Sequence, residues 1–499
     1  MGVIVFAVVL SSMHYEGDVT AANGDYVDVP FDVPAGTVEI QVTHTDGSDF
    51  VILDWGVWAP DGSYRGWGGG NTEDAIIGVD QSSRSYLPGP IAPGTWTVSI
   101  GKAKLDATGG HYSIDVVCRD NATLQVLPKA PYSPVVLNPE RRWYKGDFHV
   151  HSVQSGDAGA TFDQIATLAK SRGLDFVNLS DHNTYAQHAL IAAYQPSQPD
   201  LLFLRGSEIT TYSGHTNSVG THDYIEHRLG YKGRAMAGIA DDIAAEGAVM
   251  IVNHPVLDLG DQCIGCSWGH VDDTPWEKVS AMELITGNFD IGVQAFVPRV
   301  VTLWDSLLDE GNHIAVVGGS DDHRAGMDTG PTASPIGSPT TLVLADNLSE
   351  AAIVDALHKG RTAVQLRGPD DPFVELTIGD AEIGDEISDI ADVEATVHVV
   401  GGDGTIAQLW RDGKKIDQKP IAGNDTKVTF SDEPGAQLRR YRVELINDLN
   451  QRIVVTSHIW VHGVAADDGC GCRSSSGSGW LGAAVIWLGA LLTRRRRAR

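Results

Sequence analysis

The chain has 499 residues, more than one hydrophobic core usually serves, so we expect two to four domains. Acidic residues outnumber basic ones 65 to 36 and give a formal net charge of −29, which argues against a nucleic-acid-binding surface and for a soluble, self-repelling body. Five cysteines are too few for a disulfide framework, and Cys263 and Cys266 are open to three interpretations: a local disulfide, two free thiols or part of a metal clip.

The N-terminal part is predicted to be an all-β accessory domain. Residues 1–13 are either a truncated export signal or a first strand, because the apolar run from Gly2 to Leu10 is not preceded by Lys or Arg. From 14 to 128, short alternating runs between Gly, Pro and Asp turns predict a β-sandwich. Calcium or carbohydrate binding is one interpretation of its polar and exposed-looking aromatic residues, and turn chemistry with core packing is the other: Asp18, Asp46, Asp49, Asp54, Asp61, Trp55, Trp58 and Trp67.

The rest of the chain divides where the pattern of predicted secondary-structure elements changes. Residues 129–140 form a proline-rich linker, and from 141 to 367 strands alternate with helical stretches, which predicts a β/α body. From 370 to 462 the sequence again has short runs typical of β-strands. This pattern predicts a second sandwich, immunoglobulin-like at the coarse level. The fold class is therefore multidomain, with a central α/β body between two all-β sandwiches.

Residues 463–499 are interpreted as a signal that directs the protein to its cellular location. A Gly-Cys-Gly-Cys motif with Cys470 and Cys472 leads through a Ser/Gly spacer to an apolar run, Trp480 to Leu492, and then to Arg494–Arg497. This order resembles the C-terminal sorting signals of myxobacterial surface proteins. The resemblance implies an exported protein, anchored or sorted at the cell surface or released, with membrane contact through the tail; an ordinary tail anchor is the alternative.

The central part concentrates residues that bind metals. In His149-Val-His151, strand alternation puts both imidazoles on one face, and other candidates follow predicted strands along the chain. The full set is His149, His151, Asp157, His182, Glu208, His215, His254, Asp321 and His323. Each of these residues, taken alone, also has an ordinary structural explanation, such as capping a turn or packing as an imidazole in the core. Their recurrence at successive strand ends favours one shared metal site, and nitrogen and oxygen ligands of this kind suit zinc, manganese or iron.

The motifs and their order resemble those of the polymerase and histidinol phosphatase (PHP) superfamily. Their sequences are most similar to those of its carbaryl-hydrolase-like branch. The motifs are Gly146-Asp-Phe-His-Val-His-Ser152, Leu179-Ser-Asp-His-Asn183, Gly206-Ser-Glu208 with Gly214-His-Thr-Asn217, Asn253-His-Pro255 and Gly319-Ser-Asp-Asp-His323. The resemblance implies a distorted (β/α)7 barrel with a centre of two or three divalent metal ions. It assigns one ion to His149, His151, Glu208 and Asp321, a second to Glu208, His215 and His254, and a third to Asp157, His182 and His323.

A metal-dependent phosphoesterase is the leading functional hypothesis. Three carboxylates against three divalent ions leave a positive centre that attracts a small anionic substrate, such as a phosphate ester or nucleotide, with a metal-bound hydroxide as nucleophile. Asp181 is interpreted as a partner of a ligand or a proton carrier, and Arg324 as a phosphate contact or a surface salt bridge. Alternatives are a carboxylic ester, carbamate or amide hydrolase on the same centre and a non-catalytic surface scaffold.

Overall fold

The computed structural model describes residues 8–48, 50–330 and 333–464. Residues 1–7 of the predicted signal or first strand lie outside the described residues, as do Cys470, Cys472 and the rest of the predicted tail from 465 onward. No helix within the described ranges is both long and apolar enough to cross a membrane.

The N-terminal domain consists of two four-stranded sheets with the orders β1-β8-β3-β6 and β2-β7-β4-β5. Alternation explains the packing: in the second strand Val29, Phe31 and Val33 are buried while the residues between them are exposed. The strands are β1 (Val9–Val19), β2 (Tyr26–Val33), β3 (Glu39–Thr45), β4 (Ile52–Trp58), β5 (Tyr64–Gly69), β6 (Ala75–Gly78), β7 (Gly94–Lys104) and β8 (Gly110–Arg119).

The three tryptophans expected at the surface of this domain are buried. Trp55, Trp58 and Trp67 are 3%, 8% and 3% exposed, so the expectation of exposed aromatics was wrong and core packing accounts for them. Each belongs to a short strand, β4 or β5, whose two faces are both covered, which sequence alternation alone does not reveal.

The central domain follows a stretch, residues 120–141, without helix or strand. Its sheet has the order β15-β14-β13-β12-β11-β10-β9-β16-β17, and the helices lie between strands in sequence. The elements are β9 (Arg142–Val150), α1 (Phe162–Ser171), β10 (Phe176–Leu179), α2 (Ala186–Tyr194), β11 (Leu202–Thr211), β12 (Gly214–Val219), α3 (Met236–Ala245), β13 (Val249–Val252), β14 (Ala281–Thr286), α4 (Phe289–Ala295), α5 (Val297–Asp309), β15 (Ala315–Gly319), β16 (Thr340–Ala345), α6 (Glu350–His358) and β17 (Thr362–Gln365).

Local sequence signals place these helices. A capping box of Thr161 and Gln164 begins α1, and Ser349 caps α6 by accepting from Ala352 N. Helix α5 is amphipathic and buries one stripe against the sheet, including Val297, Trp304 and Leu308. The helices thus cover the sheet and leave the strand ends to carry polar residues.

Two backbone hydrogen bonds bring the ends of β9 and β15 side by side, although these strands lie far apart in the sheet order. Asp321 N donates to His149 O at 2.9 Å, and His151 N donates to Asp322 O at 3.0 Å. Val150 and Asp322 form a parallel bridge there. Polar residues at the ends of the first and last of these seven strands are therefore neighbours.

The C-terminal domain has two β-sheet layers, and one of them is continuous with the sheet of the central domain. One layer has the order β19-β18-β21-β24, and the other, β26-β25-β22-β23, continues the central sheet because Gln365 of β17 pairs with Val454 of β26. This pairing covers what would be an open edge of β17, so the expected boundary at 367–370 crosses a continuous sheet. The strands are β18 (Phe373–Ile378), β19 (Ala381–Glu382), β20 (Glu386–Ile390), β21 (Val393–Val400), β22 (Ile406–Arg411), β23 (Lys414–Pro420), β24 (Asp425–Asp432), β25 (Leu438–Ile446), β26 (Arg452–Thr456) and β27 (Ile459–Gly463).

The N-terminal sandwich is seated on the loops that follow the central strands. Tyr64 stacks on Tyr224 with ring centroids 3.8 Å apart, and the Arg228 guanidinium lies 3.8 Å above the Trp58 ring. Polar contacts join the same surfaces, as where Ser85 Oγ donates to Gln154 O at 2.8 Å. Such aromatic and hydrogen-bonded contacts fix the sandwich over the ends of the strands.

We expect acid to destabilise the fold through His44, which stacks on Trp55 inside the sandwich. Burial lowers the pKa of His44 from 6.5 to about 4, so below pH 6.5 the unfolded chain binds the proton first and stability falls until about pH 4. Stability above pH 6.5 is unaffected by this group. Urea titrations at pH 7.5 and 5.0 should show His44→Gln losing about 2 kcal/mol less than the unsubstituted protein over this interval, and an equal loss would contradict the assignment.

Candidate metal centre

The carboxylate of Glu208 lies at the centre of a buried group of imidazoles. Glu208 is completely buried, in β11, and five histidine rings approach its oxygens within 3.5 Å. The distances are 3.4 Å from His149 Nε2, 3.5 Å from His151 Nε2, 2.8 Å from His182 Nδ1, 3.3 Å from His215 Nδ1 and 3.4 Å from His254 Nε2. Packing an apolar core requires no such arrangement, and it is the arrangement expected of a cation site.

Two further carboxylates complete the group. Asp321 Oδ1 lies 3.3 Å from His149 Nε2 and 3.1 Å from His151 Nε2. Asp157 Oδ2 lies 3.4 Å from both His182 Nε2 and His323 Nε2. The structure thus brings every ligand predicted from the sequence into one continuous cluster.

Within this cluster, four sets offer ligand atoms within 4.8 Å of one another: His149, His151 and Glu208; Glu208, His215 and His254; His149, His254 and Asp321; and His151, His182 and His323. The first two sets coincide with parts of the groups assigned from the family resemblance. The last two sets combine residues that the resemblance assigns to different ions. The three ion positions that it implies therefore lie next to one another.

Most of these residues follow strand ends, as expected, but the hairpin of β11 and β12 differs from the expectation. His215 was expected in a loop, whereas it lies in strand β12 and pairs with Thr210 of β11. Strand β12 runs antiparallel to its neighbours, and the reversal occurs before Gly214, whose φ is 157°. A Cβ there would come within 2.7 Å of the Trp268 ring, so glycine is required for the turn.

Backbone conformations uncommon for residues with a side chain occur at two strand ends of the cluster. His254 has a φ of 28° and Asp321 a φ of 57°. Such conformations cost of order 1–3 kcal/mol each and persist where surrounding contacts hold them. Backbone hydrogen bonds of both residues supply such contacts, from His254 N to Glu283 Oε2 at 2.8 Å and from Asp321 N to His149 O at 2.9 Å.

The outer nitrogens of four rings are held by acceptors. His215 Nε2 donates to Ile264 O at 3.0 Å, and His254 Nδ1 donates to Cys266 O at 2.9 Å. His323 Nδ1 donates to Asp321 O at 2.9 Å, and His149 Nδ1 lies 2.8 Å from Glu283 Oε1. Because a carbonyl only accepts, the bonded nitrogen carries the proton, and in a neutral ring the inner nitrogen is then a lone-pair donor.

Glu283 was missed in the sequence analysis. It is completely buried in β14 and accepts from His149 on one oxygen and from Thr286 Oγ1, at 2.6 Å, on the other. Asn253, also not singled out, donates from Nδ2 to Glu208 Oε1 at 2.8 Å. A carboxylate inside the apolar run from Ala281 to Thr286 was the available signal, because an unpaired charge is rarely placed in a buried strand.

The charges of the cluster depend on one another. Although burial opposes ionisation, His149 and His182 hold the pKa of Glu208 well below its usual value. Conversely, burial lowers the pKa of His151 to about 3, with His323 and His182 adding to the effect, so this ring is neutral at pH 7. Although burial opposes it, nearby carboxylates raise the pKa values of His149, His182 and His323, so a divalent cation would displace protons from these rings, whereas His151 is already neutral.

The cluster also contains buried atoms whose bonding capacity is unused. Considering only the part of the chain that the structure describes, His149 Nε2 and Glu208 Oε2 are buried and make no well-directed hydrogen bond, and their nearest polar neighbours belong to the same cluster. A buried imidazole nitrogen and a buried carboxylate oxygen without well-directed hydrogen bonds are costly, and a cation between them would satisfy both. The donor set of nitrogen and oxygen suits zinc, manganese or iron.

The two residues given catalytic roles from the sequence lie outside the cluster. Asp181 is buried and accepts from Ser152 N at 2.6 Å and from Ser152 Oγ at 2.7 Å, and burial raises its pKa to about 7. Arg324 is 61% exposed, with its Nε 3.3 Å from Asp328 Oδ1, which is the salt bridge of the alternative interpretation. Asp181 therefore anchors the start of the loop that carries Asp157, and the catalytic roles of both residues stay predictions.

Cys263 and Cys266 form a disulfide, one of the three interpretations left open. The short loop that they close contributes the carbonyl groups of Ile264 and Cys266, which hold two of the rings. Thiolate ligation by this pair therefore does not contribute to the cluster in its oxidised form.

No protein-family model matches the chain, and no curated protein matches it. Among solved structures, a two-domain protein from Bacteroides vulgatus that contains a predicted PHP-like metal-dependent phosphoesterase is 19% identical, with 66% of this chain and 99% of that chain covered and a TM-score of 0.36. A protein from Bifidobacterium adolescentis whose name proposes a metal-dependent phosphoesterase is 15% identical, with 38% of this chain and 92% of that chain covered and a TM-score of 0.27. Identities and TM-scores of this size leave the chemistry to be decided by the side chains of this chain.

Proposed function

We propose that this chain is a metal-dependent hydrolase of the PHP superfamily, with a central distorted (β/α)7 barrel, and that it cleaves small phosphate esters. The observation that carries the proposal is the convergence of five histidine rings on the buried Glu208 carboxylate. The barrel is supported by the sequential order of β9 to β15 and by the bridge between Val150 and Asp322.

The residues that would hold the ions are those that the family resemblance assigns, and their proximity supports this assignment. One set is His149, His151, Glu208 and Asp321, a second is Glu208, His215 and His254, and a third is Asp157, His182 and His323. Bound there, divalent ions supply Lewis acidity, which lowers the pKa of coordinated water to about 7 and polarises a phosphoryl oxygen. Glu208, Asp157 and Asp321 neutralise only part of that charge, so an anionic phosphoryl group is attracted.

The protein's own groups prepare the site for this chemistry. Glu283 and the carbonyls of Ile264 and Cys266 hold the outer nitrogens of His149, His215 and His254. These contacts fix the orientation of the three rings, so that each would direct its inner nitrogen at a bound ion. The N-terminal sandwich forms one wall of the cleft that leads to the centre.

A carboxylic ester, carbamate or amide hydrolase is the second candidate. Within the described residues, no Lys or Arg side chain lines the cleft, so nothing but the metal centre there is suited to a phosphate dianion. A neutral carbonyl substrate requires no further cation. We also propose that the protein acts outside the cytoplasm, which is supported by the Cys263–Cys266 disulfide, since disulfides persist in oxidising compartments.

The function is tested on the full chain by elemental analysis followed by a matched substrate panel. We expect stoichiometric zinc, manganese or iron, and turnover of p-nitrophenyl phosphate or bis(p-nitrophenyl) phosphate that disappears after chelation and returns with the metal. Turnover of p-nitrophenyl acetate alone would establish the second candidate. A protein without stoichiometric metal that remains inactive after metal addition would instead be a scaffold.

A further inference from the structure

A cleft of about 800 Å³ lies between the N-terminal sandwich and the candidate metal centre. Glu208, His215 and Asp321 are at its base. The sandwich contributes one wall, with Asp54 of β4, Trp67 of β5 and the glycines that follow it. A substrate at the centre would therefore place its organic group against a domain that the sequence identified only as accessory.

The rest of the cleft is lined by apolar, neutral polar and acidic residues. Apolar side chains line it on several sides: Ile52, Leu257, Leu259, Ile264, Ile291 and Phe296. No Lys or Arg side chain is among the described lining residues, and two acidic residues of the lining are paired with basic side chains: Asp261 Oδ2 lies 2.7 Å from Lys104 Nζ, and Asp328 pairs with Arg324. The metal centre is thus the one strongly cationic feature that the described walls would offer a ligand.

Asp54 is the outer carboxylate whose charge faces this cleft without an ion-pair partner among the described residues. Its Oδ2 accepts from Tyr212 Oη at 2.8 Å, which fixes the carboxylate. Burial raises the pKa of Asp54 to about 6, so the group is mostly ionised at pH 7 and above. Two like charges about 6 Å apart near a protein surface repel enough to change binding by at least roughly tenfold, even after screening. Asp54 is therefore positioned to discriminate between ligands by charge.

Resting on the proposed function, we propose that the site accepts esters whose organic group is uncharged or cationic and disfavours those with a second anionic group. Asp54 of the N-terminal sandwich is the specificity-determining residue. This favours small monophosphate esters or diesters with an alkyl, aryl or amine-bearing group over nucleoside polyphosphates.

The proposal is tested by calorimetric titration of the metal-loaded full chain with phosphocholine, ethyl phosphate and 2-carboxyethyl phosphate, which share a phosphate group and differ in the charge of the tail. We expect the first two to bind at least about tenfold more tightly than the third. In Asp54→Asn, which retains an acceptor for Tyr212, the difference between ethyl and carboxyethyl phosphate should shrink to about threefold or less. The matched control Asp392→Asn, at an exposed position of the C-terminal domain, should retain the full difference.

Equal or tighter binding of 2-carboxyethyl phosphate overturns the proposal, as does an unchanged difference in Asp54→Asn or failure of all three ligands to bind. Because binding is measured and not turnover, these outcomes are separate from failure of the proposed function. Activity on the ester panel with a flat binding order would remove only the charge selectivity. The expected binding order in a protein inactive on every ester would leave the selectivity and remove the reaction.

Discussion

Glu208→Gln is expected to abolish stoichiometric metal binding and to reduce turnover of the preferred ester by more than about a hundredfold. The carboxylate is completely buried and lies within 3.5 Å of five imidazole rings, and two of the proposed ion positions share it. The amide has nearly the same shape but lacks the negative charge, so the neighbouring rings lose the charge that a divalent cation would bridge. The loss is therefore electrostatic, with little change in volume.

The measurement is metal content per chain by elemental analysis, together with turnover at saturating metal. Glu394→Gln serves as the matched control, because Glu394 is exposed on β21 in the C-terminal domain and the same change removes a charge remote from the cluster. Thermal unfolding of both metal-free variants distinguishes loss of the site from loss of the fold. Full metal content in Glu208→Gln would show that this carboxylate does not hold the ions.

Much of the candidate site was accessible from the sequence because its residues follow apolar runs. His149, His182, His254 and Asp321 come at or just after short buried strands, and the ends of neighbouring strands meet at one edge of a sheet. Alternation also predicted the pair His149 and His151 on one face. No knowledge of the pairing order was needed to expect these residues together.

The rest depended on pairing and docking that local patterns do not encode. The reversal of β12 places His215 in a strand, since a tight turn at Tyr212 and Ser213 redirects the chain. Glu283 contacts His149 because β14 lies between β13 and β15, a strand order that the sequence does not reveal. Likewise, the join of β17 to β26 and the contact of Asp54 with Tyr212 connect segments far apart in sequence.

The N-terminal sandwich acquires a second role from this docking. Buried aromatic residues on β4 and β5 pack against the central domain through Tyr224 and His227, with Trp67 and His227 centroids 4.5 Å apart. Next to this packed region, Gly68 O would meet a Cβ at Gly156 at 2.3 Å, so the loop before Asp157 is pressed against the sandwich. The domain that was expected only to accompany the hydrolase thus also fixes one of its ligand-bearing loops.

Opening the Cys263–Cys266 disulfide is expected to weaken metal binding by about 10- to 100-fold, the range found when partners of ligand histidines are removed. The disulfide closes a four-residue loop in which Ile264 O accepts from His215 and Cys266 O accepts from His254. Once the loop is open, its carbonyls gain conformational freedom and both rings lose a fixed orientation. The fold itself should persist, because the loop lies outside the strands and helices.

The measurement is a metal titration against a competing chelator, on oxidised protein, on protein treated with a phosphine reductant and on the double variant Cys263→Ser with Cys266→Ser. The serine variant is essential because free thiols beside His215 would offer new metal ligands, whereas hydroxyl groups bind zinc poorly. Cys118→Ser controls for the remaining described cysteine, which is buried in the sandwich, and should respond to the reductant as the unsubstituted protein does. Unchanged metal affinity in the double serine variant would mean that the two rings keep their orientation without the disulfide, and that the loop's carbonyls are held by the surrounding backbone alone.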